Sequence, residues 1–279
     1  MLAGGAVALV LVVVIALVVA KAAGLGSGDD EPATTSGGTS AAVAPPAVVK
    51  AVTSVPASVL DEIGVGDAQT APAKIDAPRL VADGKPKVLY VGAEFCPYCA
   101  AERWPVVVAL SRFGTWSGLG ATHSASKDVY PDTQTLSFHG ASYTSDYLSF
   151  TGVETTGNTP VNGQYPPLDS LAPADEKVVQ DYNKPPYTAT AGSIPFLDVA
   201  GLYVTSGATY SPKVLEGMSR AQIAAALDDP KDPVAKAVGG TANVLTAVIC
   251  EATGGQPSEV CTAPGVTAAA AAVAGAQPK

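Results

Sequence analysis

Apolar residues run along the chain in distinct patterns, and each predicts a different element. From Leu2 to Ala20 they are continuous, nineteen residues without a charge or a proline. Wound as a helix, that stretch reaches roughly 28 Å at 1.5 Å per residue, close to the ~30 Å hydrocarbon core of a bilayer. A cleaved signal peptide, the rival reading, has a shorter apolar region of roughly 7–15 residues, so length favours an uncleaved anchor over residues 1–21. Residues 22–46 lose all apolar period and are rich in Gly, Ser, Thr, Ala and Pro, the composition of a flexible linker. Apolar residues return at Val48, Val49, Val52, Val55, Val59, Leu60 and Ile63, with Pro56 among them. This predicts one or two short helical turns at the start of a domain beginning near residue 47.

Residues 66–79 read as irregular. Arg79–Val81 and Lys87–Val91 then flank Ala82-Asp83-Gly84, and Asp-Gly between apolar runs signals a hairpin. The unbroken run Val88–Val91 predicts a central strand buried on both faces. A helix is expected from about Pro97 to Phe113. Pro97 is tolerated in its first turn, Pro105 should kink it, and Gly114 ends it. On this helix Glu102 and Arg103 are expected on the solvated face. Trp104 is expected in the core, with Trp116, Tyr143, Tyr147 and Phe150.

The segment 115–193 carries weaker signals. Thr135–Phe138 and Tyr147–Thr151 have strand composition and are joined through Gly140 to Asp146. Gly157–Pro167 reads as a loop and Ala174–Tyr182 as a short helix. Ser193–Ala200 and Leu202–Val204 then read as two strands turning at Gly201. Ser219 and Gln222 form a capping box for a helix to about Leu227, and a further helix covers Pro233 to Cys250. Residues 262–279 are mostly alanine and small residues with little to bury, and are expected to be disordered.

Charge narrows the function classes. A net charge of −9 and a pI near 4.6, with no basic cluster, argue against a nucleic-acid partner. Four cysteines, an even number, suit a compartment in which disulfides persist. That places the soluble domain outside the cytoplasm on a single-pass membrane anchor. No basic residue precedes the apolar segment, so charge flanks give no orientation.

The chemistry sits at Cys96-Pro97-Tyr98-Cys99, directly after the apolar strand. Two cysteines two residues apart, where a buried strand yields to a helix, place the first sulfur at free backbone N–H groups. Those groups stabilise the thiolate, the species that attacks disulfides. Glu94, two residues upstream, is a candidate for proton transfer or an exposed strand-end residue.

The order of strand, Cys-x-x-Cys helix, strand, helix, strand beginning at Ile194-Pro195, strand and helix resembles the thioredoxin fold. The resemblance implies an α/β, three-layer thioredoxin-like domain over residues 47–261, with an insertion at about 115–193 between the dithiol helix and the proline strand. It further implies a cis bond at Ile194–Pro195, facing the dithiol and holding substrate backbone beside the sulfurs. The dipeptide Pro97-Tyr98 resembles that of glutaredoxins. The stretch Gly92 to Trp104 resembles an uncharacterised family of membrane-tethered thioredoxin-like proteins. Implied is an enzyme of thiol–disulfide exchange in which Cys96 attacks and Cys99 resolves, without bound cofactor or metal. Its partners would be protein thiols and disulfides and a membrane redox partner. Two features depart from the thioredoxin pattern. Tyr90 stands where an acid is buried six residues before the first cysteine, and Pro105 falls nine rather than eight residues after it.

Other readings stand beside these. Cys96 and Cys99 could form half of a structural zinc site with Cys250 and Cys261, although the helix continuing through Ala100 to Trp104 is not a zinc knuckle. Cys250 and Cys261, eleven positions apart, read as a structural disulfide or as a second dithiol that relays electrons. His123 and His139, the only histidines, read as surface or hydrogen-bonded loop residues. A rival function is a non-catalytic scaffold whose insert binds an envelope partner.

Overall fold

The computed structural model of the protein describes residues 42–275. The expected anchor at 1–21 and nearly all of the linker at 22–46 lie outside the described residues. The ordered elements are β1 (Ala42–Val43), α1 (Pro46–Thr53), α2 (Ala57–Ile63), β2 (Ala73–Lys74), β3 (Val81–Ala82), β4 (Lys85–Gly92), α3 (Pro97–Ser111), β5 (Gly114–Ser117), β6 (Gly120–His123), β7 (Gln134–Ser137), β8 (Ser142–Ser145) and β9 (Ser149–Glu154). There follow α4 (Pro173–Tyr182), β10 (Phe196–Val199), β11 (Tyr203–Ser206), a 3₁₀ turn (Pro212–Leu215), α5 (Arg220–Ala226), α6 (Pro233–Ala252), α7 (Ser258–Cys261) and α8 (Pro264–Ala274).

β4 organises the molecule, a mixed α/β fold with several sheets. Asp83 and Gly84 take left-handed backbone angles, φ 51° and 73°, the geometry that lets a two-residue turn follow strand twist, and β3 pairs antiparallel with β4 across them. β9 runs parallel along one edge of β4, Lys87–Gly92 opposite Ser149–Glu154. β10 runs antiparallel along the other and continues to β11 and β2. Alternate residues face opposite ways. Val88, Tyr90, Leu197 and Val199 join the core shared with α3 and α6, whereas Leu89, Val91, Phe196 and Val204 meet Val178, Val179 and Tyr182 of α4. Helices therefore cover both faces of the sheet.

The 115–193 segment contributes β9 and α4 to this body and also builds two small sheets, β1-β6-β7 and β5-β8. The link Gly140–Asp146 contains β8, so the two strand-like runs it joins pair in different sheets. The N-terminal boundary also shifts, because β1 at Ala42–Val43 pairs with β6.

α6 is the one helix among the described residues long and apolar enough to cross a membrane, with mean hydropathy 1.3. Burial accounts for that apolarity: 89% of its apolar stretch is buried in the fold. At Gly240 a Cβ would run into the Val65 carbonyl, so only glycine permits the approach of the chain after α2. Asn243 Nδ2 donates to the Leu60 and Gly64 carbonyls at 2.7 and 2.8 Å, tying α6 to the C-terminal end of α2. The expected disordered tail is instead largely α8, which buries Val266, Ala269 and Val273. A one-sided stripe of small apolar residues suffices there because α6 lies close beside it.

Candidate functional site

The strand-to-helix turn after β4 is held by backbone bonds at each step. Cys96 N–H donates to the Ala93 carbonyl at 3.3 Å, and Glu94 N–H donates to the Thr156 carbonyl at 2.9 Å. Cys96 is the N-cap of α3, with extended angles of φ −77° and ψ 124°, and Pro97 follows at the first helical position, where a missing N–H is harmless. The Cys96 sulfur takes the place a Ser or Asp oxygen usually fills: it accepts the Cys99 N–H at 3.3 Å. Both cysteines are free; Cys96 is 6% exposed and Cys99 wholly buried. Tyr98 is exposed at the rim, edge-on to Tyr130, and Phe95 stacks on Tyr165.

The structure brings the distant proline strand to this turn. Cys96 Sγ lies 3.9 Å from the Ile194 carbonyl, which accepts from the thiol, and the Ile194–Pro195 bond is cis. The Gly207 N–H donates to the Pro195 carbonyl, and Asn183 and Ser206 side chains donate to the Ser193 carbonyl, fixing this segment from both sides.

The two sulfurs differ electrostatically. The Cys96 pKa is lowered by the Cys99 thiol and then by backbone N–H groups and the Arg103 charge, against the opposing effect of burial. Cys99 is pushed well above the usual thiol range, first by burial and then by Cys96 itself. The outer sulfur thus ionises more readily than the inner one.

Behind the dithiol lies a charged interior that corrects the solvated-face expectation for Glu102 and Arg103. Both are wholly buried. Arg103 Nε and Nη2 donate to the two oxygens of Glu154, at 2.7 and 2.6 Å, and Nη2 also donates to the Ala93 carbonyl at 2.8 Å. Glu102 accepts from the Thr209 N–H and hydroxyl on the other flank of α3. Glu94 is buried rather than exposed; its oxygens accept from the Ser137 and Thr122 hydroxyls at 2.6 and 3.0 Å. Tyr90 O–H donates to the Cys99 carbonyl at 3.4 Å. Pro105 lacks the N–H that would serve the Ala101 carbonyl, and the Tyr210 hydroxyl donates there instead, at 2.7 Å.

The remaining candidates fall elsewhere. Cys250 and Cys261 are joined in a disulfide, so they are not ligands of a zinc site with Cys96 and Cys99. His139 Nδ1 lies 2.7 Å from Asp169 Oδ1, and His123 Nδ1 lies 2.9 Å from the Ser124 carbonyl. Trp104 and Trp116 are core residues, while Tyr147 is exposed. Among the described residues no group of three or more His, Cys, Asp or Glu could hold a metal ion. Glu154, Tyr130 and Tyr165 escape the sequence reading, and Arg103 enters it only as a solvated residue. Arg103 carried a signal: it lies four residues after Cys99 and seven after Cys96, on the same helix face.

Fold and site together define an α/β protein with an asymmetric dithiol at a helix N-terminus. The chain belongs to the family described as a domain of unknown function (DUF929), whose model matches residues 71–251. No curated protein and no solved structure matches it.

Proposed function

We propose that the protein is a thiol–disulfide oxidoreductase of thioredoxin-like fold, held at the outer side of the cell membrane by its N-terminal apolar segment and acting on protein thiols and disulfides. One observation carries this reading: Cys96 caps α3 with its sulfur on the Cys99 N–H and against the Ile194 carbonyl, while Cys99 lies buried one turn in. The order β4, α3, β9, α4, β10, β11, α6, with β9 parallel and β10 antiparallel to β4, supports the fold assignment.

In the reducing direction the Cys96 thiolate attacks one sulfur of a substrate disulfide, forming a mixed disulfide and releasing the other substrate sulfur as a thiolate. Cys99 then gives up its proton and its sulfur attacks Cys96. The mixed disulfide breaks, Cys96–Cys99 forms, and the second substrate sulfur leaves and is protonated. Two electrons pass from the protein dithiol to the substrate disulfide; the oxidising direction is the reverse. The scaffold reading draws on the low exposure of Cys96.

Equilibration of the full chain with glutathione, with alkylation and peptide mapping to separate Cys96–Cys99 from Cys250–Cys261, tests both readings. A two-electron transition at Cys96–Cys99 is expected, within the range of about −270 to −120 mV spanned by such proteins. A pair that neither oxidises nor reduces would leave the scaffold.

A further inference from the structure

We infer that the buried pair Arg103–Glu154 is the positioning device that sets the balance between the two sulfurs; the inference rests on the oxidoreductase reading. Arg103 stands one helical turn after Cys99, so its side chain shares the face of α3 that carries the dithiol. Its Nη2 binds the Ala93 carbonyl, the same oxygen that accepts the Cys96 N–H. The guanidinium therefore grips the turn that aims Cys96. Glu154 ends β9 in register with Gly92, and its own N–H donates to Asp169 Oδ2 at 3.1 Å, so the backbone that carries the carboxylate is fixed.

The charge count around the pair is uneven. Tyr90 and Glu94 face it from β4 and the turn beyond, Cys96 and Cys99 from α3, and Glu154 from β9. Glu94, held by Ser137 and Thr122, is a second buried carboxyl that acts on Glu154 without bonding to the guanidinium. Arg103 Nη1 is buried with no hydrogen-bond partner, so part of the cation is not used up by Glu154. In a water-poor interior, charge is felt beyond contact distance. Arg103 favours thiolate and Glu154 opposes it at the buried sulfur.

The opposition gives the test its sign. The full-length protein is compared with Glu154→Gln and with the double variant Arg103→Met/Glu154→Leu, which removes both charges and leaves apolar side chains. The readouts are thiolate absorbance against pH and the glutathione equilibrium constant of Cys96–Cys99. Glu154→Gln should favour thiolate and make the pair more oxidising. The double variant should raise the Cys96 pKa and make the pair more reducing. Each shift should be about tenfold in the constant, equivalent to ~30 mV. A structural role alone would move both variants the same way or not at all. Folded variants within twofold of the parent, or shifts of the same sign, overturn the inference. If the double variant does not fold, Glu154→Gln alone decides by its direction; if neither folds, the pair is a folding element and the inference falls. A parent without any redox transition instead overturns the oxidoreductase reading itself.

Discussion

Glu102 offers a direct measurement of what the interior charges cost. It is wholly buried on α3; Oε2 accepts from the Thr209 N–H and hydroxyl, each at 2.9 Å, and Oε1 has no partner. Burial pushes its pKa from 4.5 up to about 7, against the pull of the two Thr209 bonds. Below pH 4.5 the folded and unfolded chains both hold the proton. Between pH 4.5 and about 7 the unfolded chain releases it first, so stability falls as pH rises, by about 1.4 kcal/mol per pH unit from this group. Above pH 7 both states are ionised and the full cost, about 3 kcal/mol, is in place. Glu102→Gln keeps the shape and an oxygen for Thr209 but cannot ionise. Denaturant unfolding of the two proteins at pH 4 and pH 8, at equal ionic strength, isolates the effect, because other titrating groups cancel in the difference. The variant should gain about 3 kcal/mol on the parent between the two pH values. A difference constant with pH would refute the claim that a neutral carboxyl is what this pocket accommodates.

Three further outcomes follow from the geometry. Cys96→Ser should abolish exchange, while Cys99→Ser should accumulate a mixed disulfide on Cys96 visible on non-reducing gels; trapping on Cys99 instead would reverse the roles. Gly240→Ala should cost about 1–3 kcal/mol through overpacking against the Val65 carbonyl, read as a lower Tm, and an unchanged Tm would mean the helix and the 63–66 segment can part freely. Cys250→Ala/Cys261→Ala should lose about 3 kcal/mol by opening an eleven-residue loop while leaving the Cys96–Cys99 glutathione constant unchanged; a shifted constant would couple the two cysteine pairs.

Elements that announce themselves locally were legible. The Asp83-Gly84 turn, the apolar run of β4, the Ser219–Gln222 capping box and the apolar α6 are each set by residues within a few positions of one another. The insert resisted because its strands are short and two of them pair with strands that are not their neighbours in sequence: β8 with β5, and β9 with β4. Composition marks Thr135–Phe138 and Tyr147–Thr151 as extended but carries nothing about which edge receives them. The tail differs from its sequence expectation for a related reason. An alanine-rich stretch has little to bury alone, and it folds as α8 because α6 and α2 offer a surface close enough for Ala269 and Val273 to fill.

The site divides along the same line. Cys96, Cys99 and their helix cap are contiguous in sequence, whereas the side chains that give the sulfurs different environments are not. Glu102 and Arg103 look like solvated residues because charged side chains are almost never fully buried unless paired. Their partners, Thr209 and Glu154, come from elements 107 and 51 residues away. A helix covered on one side by the sheet and on the others by α6, β7 and the 3₁₀ turn has no solvated face for them. Once that is granted, each polar group on α3 needs a counterpart. The Cys99, Ala100 and Ala101 carbonyls, near the break made by Pro105, take hydroxyls from Tyr90, Thr135 and Tyr210. A fully enclosed helix with this many supplied hydrogen bonds is rigid, and its one open end is the turn that carries Cys96. Movement at the site is therefore expected in the flanking segments that bear Tyr130, Tyr165 and Ile194 rather than in the helix. Hydrogen exchange should accordingly be slow at Ala100–Leu110 and faster across 124–133 and 157–168; equal protection in the three segments would place the flexibility elsewhere.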